Sequence, residues 1–320
     1  MTIQIAPSIF GFLVTLVLVL GFADFLRSVV LDAHTMATEV KTIELPSDPL
    51  SHLLFTMEFY NATDEATFAE ILGFINKISV LDKGGSIISL ESEALACLNL
   101  YLYGAGGIRI APVSGDNQHD AYGLIIPFGR RTFNPDECYP GRKKGDVTLV
   151  LDTTVPTTTL DNAMISISAV ALPDATPSRY MKATQRNLSA PGATGEFDAE
   201  LAMGNDLLAL LIGMTSFAGA SEYLFGADDL SLIANNRQEA IVSAKAPELF
   251  TEMLPRIGGA TRLLAGMGGL IPATHTWMDF DPTRDGEFAF ATDGLTDLKL
   301  RIGYGVNEAL TVSQIELVTL

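Results

Sequence analysis

Most apolar residues of this chain fall into short runs of β type. Ala163–Leu172 shows the pattern well: Ile165, Ile167 and Ala169 alternate with Met164, Ser166 and Ser168. A period of two puts one set on each face of a strand. β-capable runs also cover Leu50–Phe59, Ile75–Val80, Ile87–Leu90, Tyr122–Phe128 and Val147–Asp152. Later in the chain they cover Leu207–Thr215, Leu230–Ala234, Ala240–Ala244, Thr276–Phe280, Phe288–Thr292, Leu298–Tyr304 and Leu310–Val318. Turn residues punctuate them, as at Lys83-Gly84-Gly85, Asp285-Gly286 and Asp293-Gly294. Two segments break the pattern. Glu91–Tyr103 places Leu95, Leu98 and Leu102 on one helical face and stops at Gly104; a second helix starts near Pro247 and ends before Gly258.

The runs repeat. Glu44, Leu45, Leu50, Leu53, Leu54 and Met57 recur as Glu200, Leu201, Leu207, Leu210, Leu211 and Met214. Ile87, Ser89, Leu95, Leu100 and Gly104 recur as Ile241, Ser243, Leu249, Leu254 and Gly258. The run Asn162–Leu172 resembles Leu310–Leu320 at a slightly shorter offset. A spacing kept through strand, helix and final strand implies a duplicated unit. Seven or eight short strands per half, with one helix in each, imply a β-sandwich in each. The Pro-, Ser- and Thr-rich stretch after Leu172 reads as the linker.

Ser8–Ala23 stands apart. It is uncharged over sixteen residues, just short of the roughly 17–25 that span a bilayer as a helix. Residues 1–7 carry no basic residue, which argues against a secretory signal. A bilayer-touching or buried helix, a buried strand arm and a cleaved leader all stay open, the arm because Val14, Thr15, Val17 and Val19 are β-branched. If the segment meets lipid, the residues doing so are Ile9, Phe10, Phe12, Leu13, Leu16, Leu18, Leu20 and Phe22.

Composition narrows the function. The 320 residues carry 20 Lys+Arg against 38 Asp+Glu, a net charge of −18, which excludes a generic nucleic-acid binder. Yet only 18% of residues are charged and 48% are apolar, with a mean hydropathy of +0.29. Such a chain must touch a membrane or bury much of its surface against neighbours. Cys97 and Cys138 are too few for a disulfide framework and read as free thiols, with a single bridge as the alternative.

Candidate chemistry is thin. His34, His52, His119 and His275 have no zinc-site spacing. Asp281, Thr283, Asp285 and Gly286 follow calcium-loop spacing, but Thr292 stands where the bidentate acid belongs. Asp281 and Asp285 are thus weak metal candidates, and an acidic turn is the simpler reading. The glycines of 104–107 and 266–269 lack the Gly-Lys-Ser/Thr of a phosphate loop. Ser216 lacks a nucleophile elbow, and His275 and Asp279 specify no nucleophile, so no enzyme is expected. Arg130-Arg131 and Arg142-Lys143-Lys144 form the one basic cluster, read as a solvated or subunit-pairing loop, or as a contact for anionic headgroups or nucleic acid. The glycosylation triplets at Asn61 and Asn187 matter only in a eukaryotic secretory setting.

The paired openings ELPSDPLSHLLFTM and ELAMGNDLLALLIGM, the paired helices and the final strand resemble the double jelly-roll major capsid proteins of tectivirus-, corticovirus- and adenovirus-like icosahedral viruses. The resemblance covers about residues 39–320 and is closest to corticovirus- or finnlakevirus-like phage proteins. It implies a mainly β fold of two tandem eight-stranded jelly rolls, each with one short helix. The domains would be an N-terminal apolar helix or arm over 1–38, jelly rolls over 39–175 and 196–320, and a linker over 176–195. It further implies a homotrimeric, pseudo-hexameric capsomer in a virion assembled in the host cytoplasm. Its partners would be neighbouring capsomers, vertex and minor capsid proteins and an internal lipid membrane, with no direct nucleic-acid contact. No cofactor is expected beyond a divalent cation, such as calcium, at subunit contacts. A minor capsid or vertex protein of the same fold is the near alternative. The distant one is a membrane-anchored or secreted carbohydrate-binding protein, for which Trp277 is the single tryptophan.

Overall fold

The computed structural model describes residues 25–110, 115–155, 159–214, 227–235, 240–257, 274–305 and 307–320. The apolar segment, Ser216 and the glycines of 266–269 lie outside the described residues.

The first half holds β1 (Leu26–Thr35), β2 (Glu39–Glu44), β3 (Leu50–Asn61), α1 (Phe68–Gly73), β4 (Ile75–Asp82), β5 (Gly85–Leu90), α2 (Ser92–Tyr103), β6 (Ile108–Arg109), β7 (His119–Pro127), β8 (Val147–Thr153) and β9 (Leu160–Ala171). They form two facing sets in the orders β1-β9-β3-β7-β6 and β2-β8-β4-β5. The second half holds β10 (Arg179–Leu188), β11 (Gly195–Glu200), β12 (Asp206–Met214), β13 (Ala227–Ala234), β14 (Val242–Lys245), α3 (Ala246–Glu252), α4 (Leu254–Ile257), β15 (His275–Asp279), β16 (Phe290–Ala291), β17 (Leu298–Tyr304) and β18 (Leu310–Thr319). Its orders are β10-β18-β12-β15 and β11-β17-β13-β14. β1 to β5 correspond in order to β10 to β14, and β8 and β9 to β17 and β18, while β15 takes on β12 the place that β7 takes on β3. Each half is an eight-stranded jelly roll.

The duplication extends to register. Leu53 faces Ala169 and Met57 faces Ile165 across β3 and β9, as Leu210 faces Gln314 and Met214 faces Leu310 across β12 and β18. Equivalent partners on the last strands are thus 145 residues apart, so the sequence alignment of Asn162–Leu172 with Leu310–Leu320 is three residues out of step. Two other readings change. Residues 26–35, taken as part of an arm, form β1 and pair with β9. Residues 179–188, taken as linker, form β10, which pairs antiparallel with β18 and parallel with β5. β10 is polar, reading Arg-Tyr-Met-Lys-Ala-Thr-Gln-Arg-Asn-Leu, and β1 carries Leu26, Val29, Val30 and Leu31 but fully buries none of its side chains, so neither shows the pattern of a core strand.

Burial explains the long apolar runs. β8 buries every second residue, Val147, Leu149, Leu151 and Thr153. β12 is different, with buried residues from Leu207 through Met214. Leu210, Ile212 and Met214 point into the second core, while Leu208, Ala209 and Leu211 join the first half's core together with Trp277 and Ile315. A strand covered on both faces reads as a continuous hydrophobic run. α2 is covered in the same manner, buried from Ala94 through Leu102 rather than on one face. Its Asn99 both accepts from the Ile125 N–H (2.9 Å) and donates to the Ile125 carbonyl (2.7 Å), acting as a strand partner for β7.

Antiparallel pairing gathers many chain turns at one pole. Leu26 lies opposite Ala171, His52 opposite Pro127 and Arg179 opposite Thr319. The connections 128–146, 173–178 and 280–289 therefore share that pole with both ends of the described chain. Phe25 meets Phe133 there at 5.1 Å between ring centroids.

Gly104 ends α2 at φ +77°, and a β-carbon on it would lie 2.7 Å from the Arg256 carbonyl oxygen of the other half. Both the left-handed backbone and the close approach require glycine. Gly104→Ala is expected to lower unfolding stability by about 3 kcal/mol, read by urea denaturation.

Candidate functional site

The halves meet along a joint built from polar groups that the sequence scatters widely. Its backbone part is the parallel pairing of Ile88-Ser89 with Ala183-Thr184. Its side-chain part surrounds the C-terminal end of α2, whose last carbonyls lack intrahelical donors. Arg256 donates to the Tyr101 carbonyl (3.1 Å) and Arg284 to the Leu102 carbonyl (2.7 Å). Cations at a helix C-terminus also oppose the negative end of its dipole. Arg256 further lies 4.1 Å above the Tyr101 ring and donates to Asp279 (3.0 Å), which also accepts from the Tyr101 hydroxyl (2.8 Å). Burial and the adjacent Asp279 carboxylate push the Tyr101 phenol far above its ordinary range.

Arg130 is the second rivet. Its guanidinium donates to Glu137 of its own loop (2.8 Å) and to Asp281 of the other half (2.8 Å). All three side chains are almost wholly buried. Burial alone would disfavour the Arg130 charge, but the hydrogen bonds to Glu137 and Asp281 win and hold its pKa above the usual arginine range.

This placement revises the chemistry read from the sequence. Asp281, a weak calcium candidate, has one oxygen on Arg130 and the other on the Gly286 N–H (2.8 Å). Asp285 is exposed and accepts from Thr283 (2.7 Å) and from the Glu287 N–H (2.9 Å), which hold its carboxyl below the ordinary aspartate range. Among the described residues no group of three or more His, Cys, Asp or Glu is placed to hold a metal. The basic cluster divides. Arg130 is buried in the joint, Arg142 pairs with Asp82 (2.9 Å), and Arg131, Lys143 and Lys144 are exposed.

The remaining candidates sit in ordinary structural surroundings. Cys97 and Cys138 are free and buried, and burial pushes the Cys138 thiol up to about 11. Burial pulls His52 and His275 down to about 4, so both are neutral near pH 7. Asn61 is buried and Asn187 bonds Glu91 (3.0 Å). Trp277 is 0% exposed and packs edge-on against Tyr101, so it offers no surface for stacking a sugar. Among the described residues no helix is long and apolar enough to cross a membrane. Sequence reasoning missed Arg256, Arg284 and Asp279 as a set, since only the fold brings them to Tyr101. It also passed over Thr67-Phe-Ala-Glu70, the capping box that starts α1.

No family model matches the chain, and no curated protein matches its sequence. Solved structures do match, over nearly the full length. The STIV MCP, from Sulfolobus Turreted Icosahedral Virus, superposes with a TM-score of 0.68 at 10% identity, covering 92% of this chain and 97% of that one. The major capsid protein P2 from bacteriophage PM2 gives 0.61 at 13%, covering 92% and 98%. PBCV-1 VP54 gives 0.60 at 9%, covering 92% and 94%. The chain has the double jelly-roll fold of these viral proteins. In this double jelly roll the two sandwiches are locked by buried charge.

Removing Arg130 should therefore cost more than a surface substitution would. Arg130→Met leaves Glu137 and Asp281 buried without their cation, and a loss of about 3–5 kcal/mol is expected in denaturant unfolding. Arg130→Lys, which keeps a cation there, should recover part of the loss, and an Arg130→Met loss no larger than that of an exposed arginine would contradict buried charge as its cause.

Proposed function

We propose that this protein is a structural, non-enzymatic capsid protein, the major one, which assembles as a homotrimer of double jelly rolls. The observation carrying this reading is a joint used once within the chain that has unused counterparts at both ends. β5, the outer strand of its set, pairs with β10. By the internal repeat, the equivalent of β5 is β14, and the equivalent of β10 is β1. Both are edge strands within the described sheets. Repeating the joint between chains sets β14 of one subunit against β1 of the next. Six sandwiches from three chains close such a ring, and closure removes the open edges that invite uncontrolled association. On β1, Leu26 and Val29 are exposed, Val29 at 63%.

The solved relatives of this fold include a major capsid protein and a virus capsid, which supports the same role here. Capsomers of this kind would tile with one another and meet vertex and minor capsid proteins. An internal membrane fits the pole described above. Phe25 enters the fold there, one residue, Asp24, after the uncharged segment 8–23. The charge of −18 per chain disfavours a bare genome against the shell, and an intervening lipid layer relieves that repulsion.

Light scattering on the eluting protein should give about 103 kDa, three times 34.3 kDa. Val29→Lys should shift the mass to that of one chain while circular dichroism keeps its β signature. Deleting residues 1–24, which spares β1, should leave the trimer intact and abolish flotation with neutral lipid vesicles. A wild-type monomer would sink the ring, and flotation unchanged by the deletion would sink the lipid role of the segment.

A further inference from the structure

The joint leaves one group of arginines undercompensated. A cavity of about 200 Å³ opens at the pole between the loops 128–146 and 280–289, and Arg131, Arg179, Arg284 and Asn134 face it together with the Arg130–Glu137 pair. Glu137 is already spent on Arg130, and Arg179 reaches it only at 3.6 Å. Arg284 bonds two neutral carbonyls, those of Leu102 and Tyr101. Arg131 is exposed, and among the described residues no carboxylate pairs with it. The one further acid at the rim, Asp285, is held by Thr283 and the Glu287 N–H. Burial and the like charges of Arg256 and Arg131 disfavour the Arg284 cation. In a chain of −18, a cavity with this surplus of guanidinium is unusual, and guanidinium donors match a phosphate's oxygens in pairs.

We propose that this cavity binds a phosphate-type oxyanion through Arg131, Arg179 and Arg284, and that the group bound is the headgroup of an anionic lipid. The surroundings favour a headgroup over free phosphate. Beside the loop that carries Arg131, the exposed Phe133 and Phe25 line an apolar cavity with Pro135 and Leu172. Only Asp24 separates Phe25 from the uncharged segment 8–23. A phosphate bonded by arginines with apolar surface beside it is how a lipid at an interface is held. The headgroup assignment rests on this pole facing lipid; the oxyanion site itself does not.

The test uses the full chain and two probes. In flotation, the wild type should bind vesicles of equal parts phosphatidylcholine and phosphatidylglycerol at least tenfold more tightly than phosphatidylcholine alone. Arg131→Ser/Arg179→Ser should lose that preference while keeping its affinity for neutral vesicles. Arg131→Lys/Arg179→Lys should recover part of it, and Lys143→Ala/Lys144→Ala should keep it, which separates the cavity from diffuse surface charge. In the second arm, millimolar inorganic phosphate should raise the melting temperature of the wild type and not of the double serine variant. A phosphate shift without vesicle preference assigns the site to free phosphate and overturns the lipid half. Neither effect in the wild type, or both retained in the serine variant, overturns the site. Failure to float with either vesicle counts against the pole facing lipid, and the phosphate arm still decides the cavity.

Discussion

An open sheet edge is the constraint around which this molecule is arranged. Each jelly roll exposes strands whose N–H and C=O groups need partners, and a single chain with two such units has edges at several places. Within the chain one pair of edges is joined, β5 to β10, through a short parallel contact. Another is closed by a side chain, Asn99 on β7. Parallel contact over two residue pairs is weak by itself, so the joint needs further attachment. The buried arginines supply it. Arg130 spans to Asp281, and Arg256 and Arg284 reach back to the end of α2.

Buried ion pairs often add little net stability compared with apolar packing, because desolvation offsets their attraction. Their value here is geometric. β12 is apolar on both faces and would tolerate sliding against α2, since Leu, Ile and Ala side chains accept many packings. A guanidinium with five donors and fixed acceptors does not slide. Arg130 has its partners at 2.8 Å in only one relation of the sandwiches. An apolar interface thus supplies the area, and the arginines fix the angle. The proposed ring of repeated joints would need that angle, because a small error at each contact would turn closure into an open helix.

Much of the fold was legible in the sequence, and the physical reason is burial. β3, β8, β9, β12, β17 and β18 pack at least one full face into a core, and their apolar residues announce it. The helix ending at Gly104 was legible because its stop needs a left-handed residue. β1, β2, β10 and β11 were not. They lie at the borders of their sets and bury few side chains, and what defines them is backbone pairing to a distant strand. The register of the last strands also escaped detection. β9 begins at Leu160 and β18 at Leu310, and insertions between the equivalent strands shift the spacing. The joint itself was illegible for a different cause. Arg130, Glu137 and Asp281 are spread over more than 150 positions, and no spacing rule links them.

The charge of the chain acquires a direction from this arrangement. As a total, −18 says only that phosphate is an unlikely partner for the surface as a whole. The fold separates signs locally. Acidic residues in or beside the pole's loops are turned inward, Glu137 and Asp281 onto Arg130 and Asp279 onto Arg256, where they neutralise buried guanidiniums. Arg131, Arg179 and Arg284 remain facing the cavity. An acidic protein can therefore present a locally cationic feature at the pole where Phe25 enters. The same buried carboxylates that set the angle of the sandwiches leave that pole its surplus of positive charge, so the geometry of the joint and the surface polarity come from one set of residues.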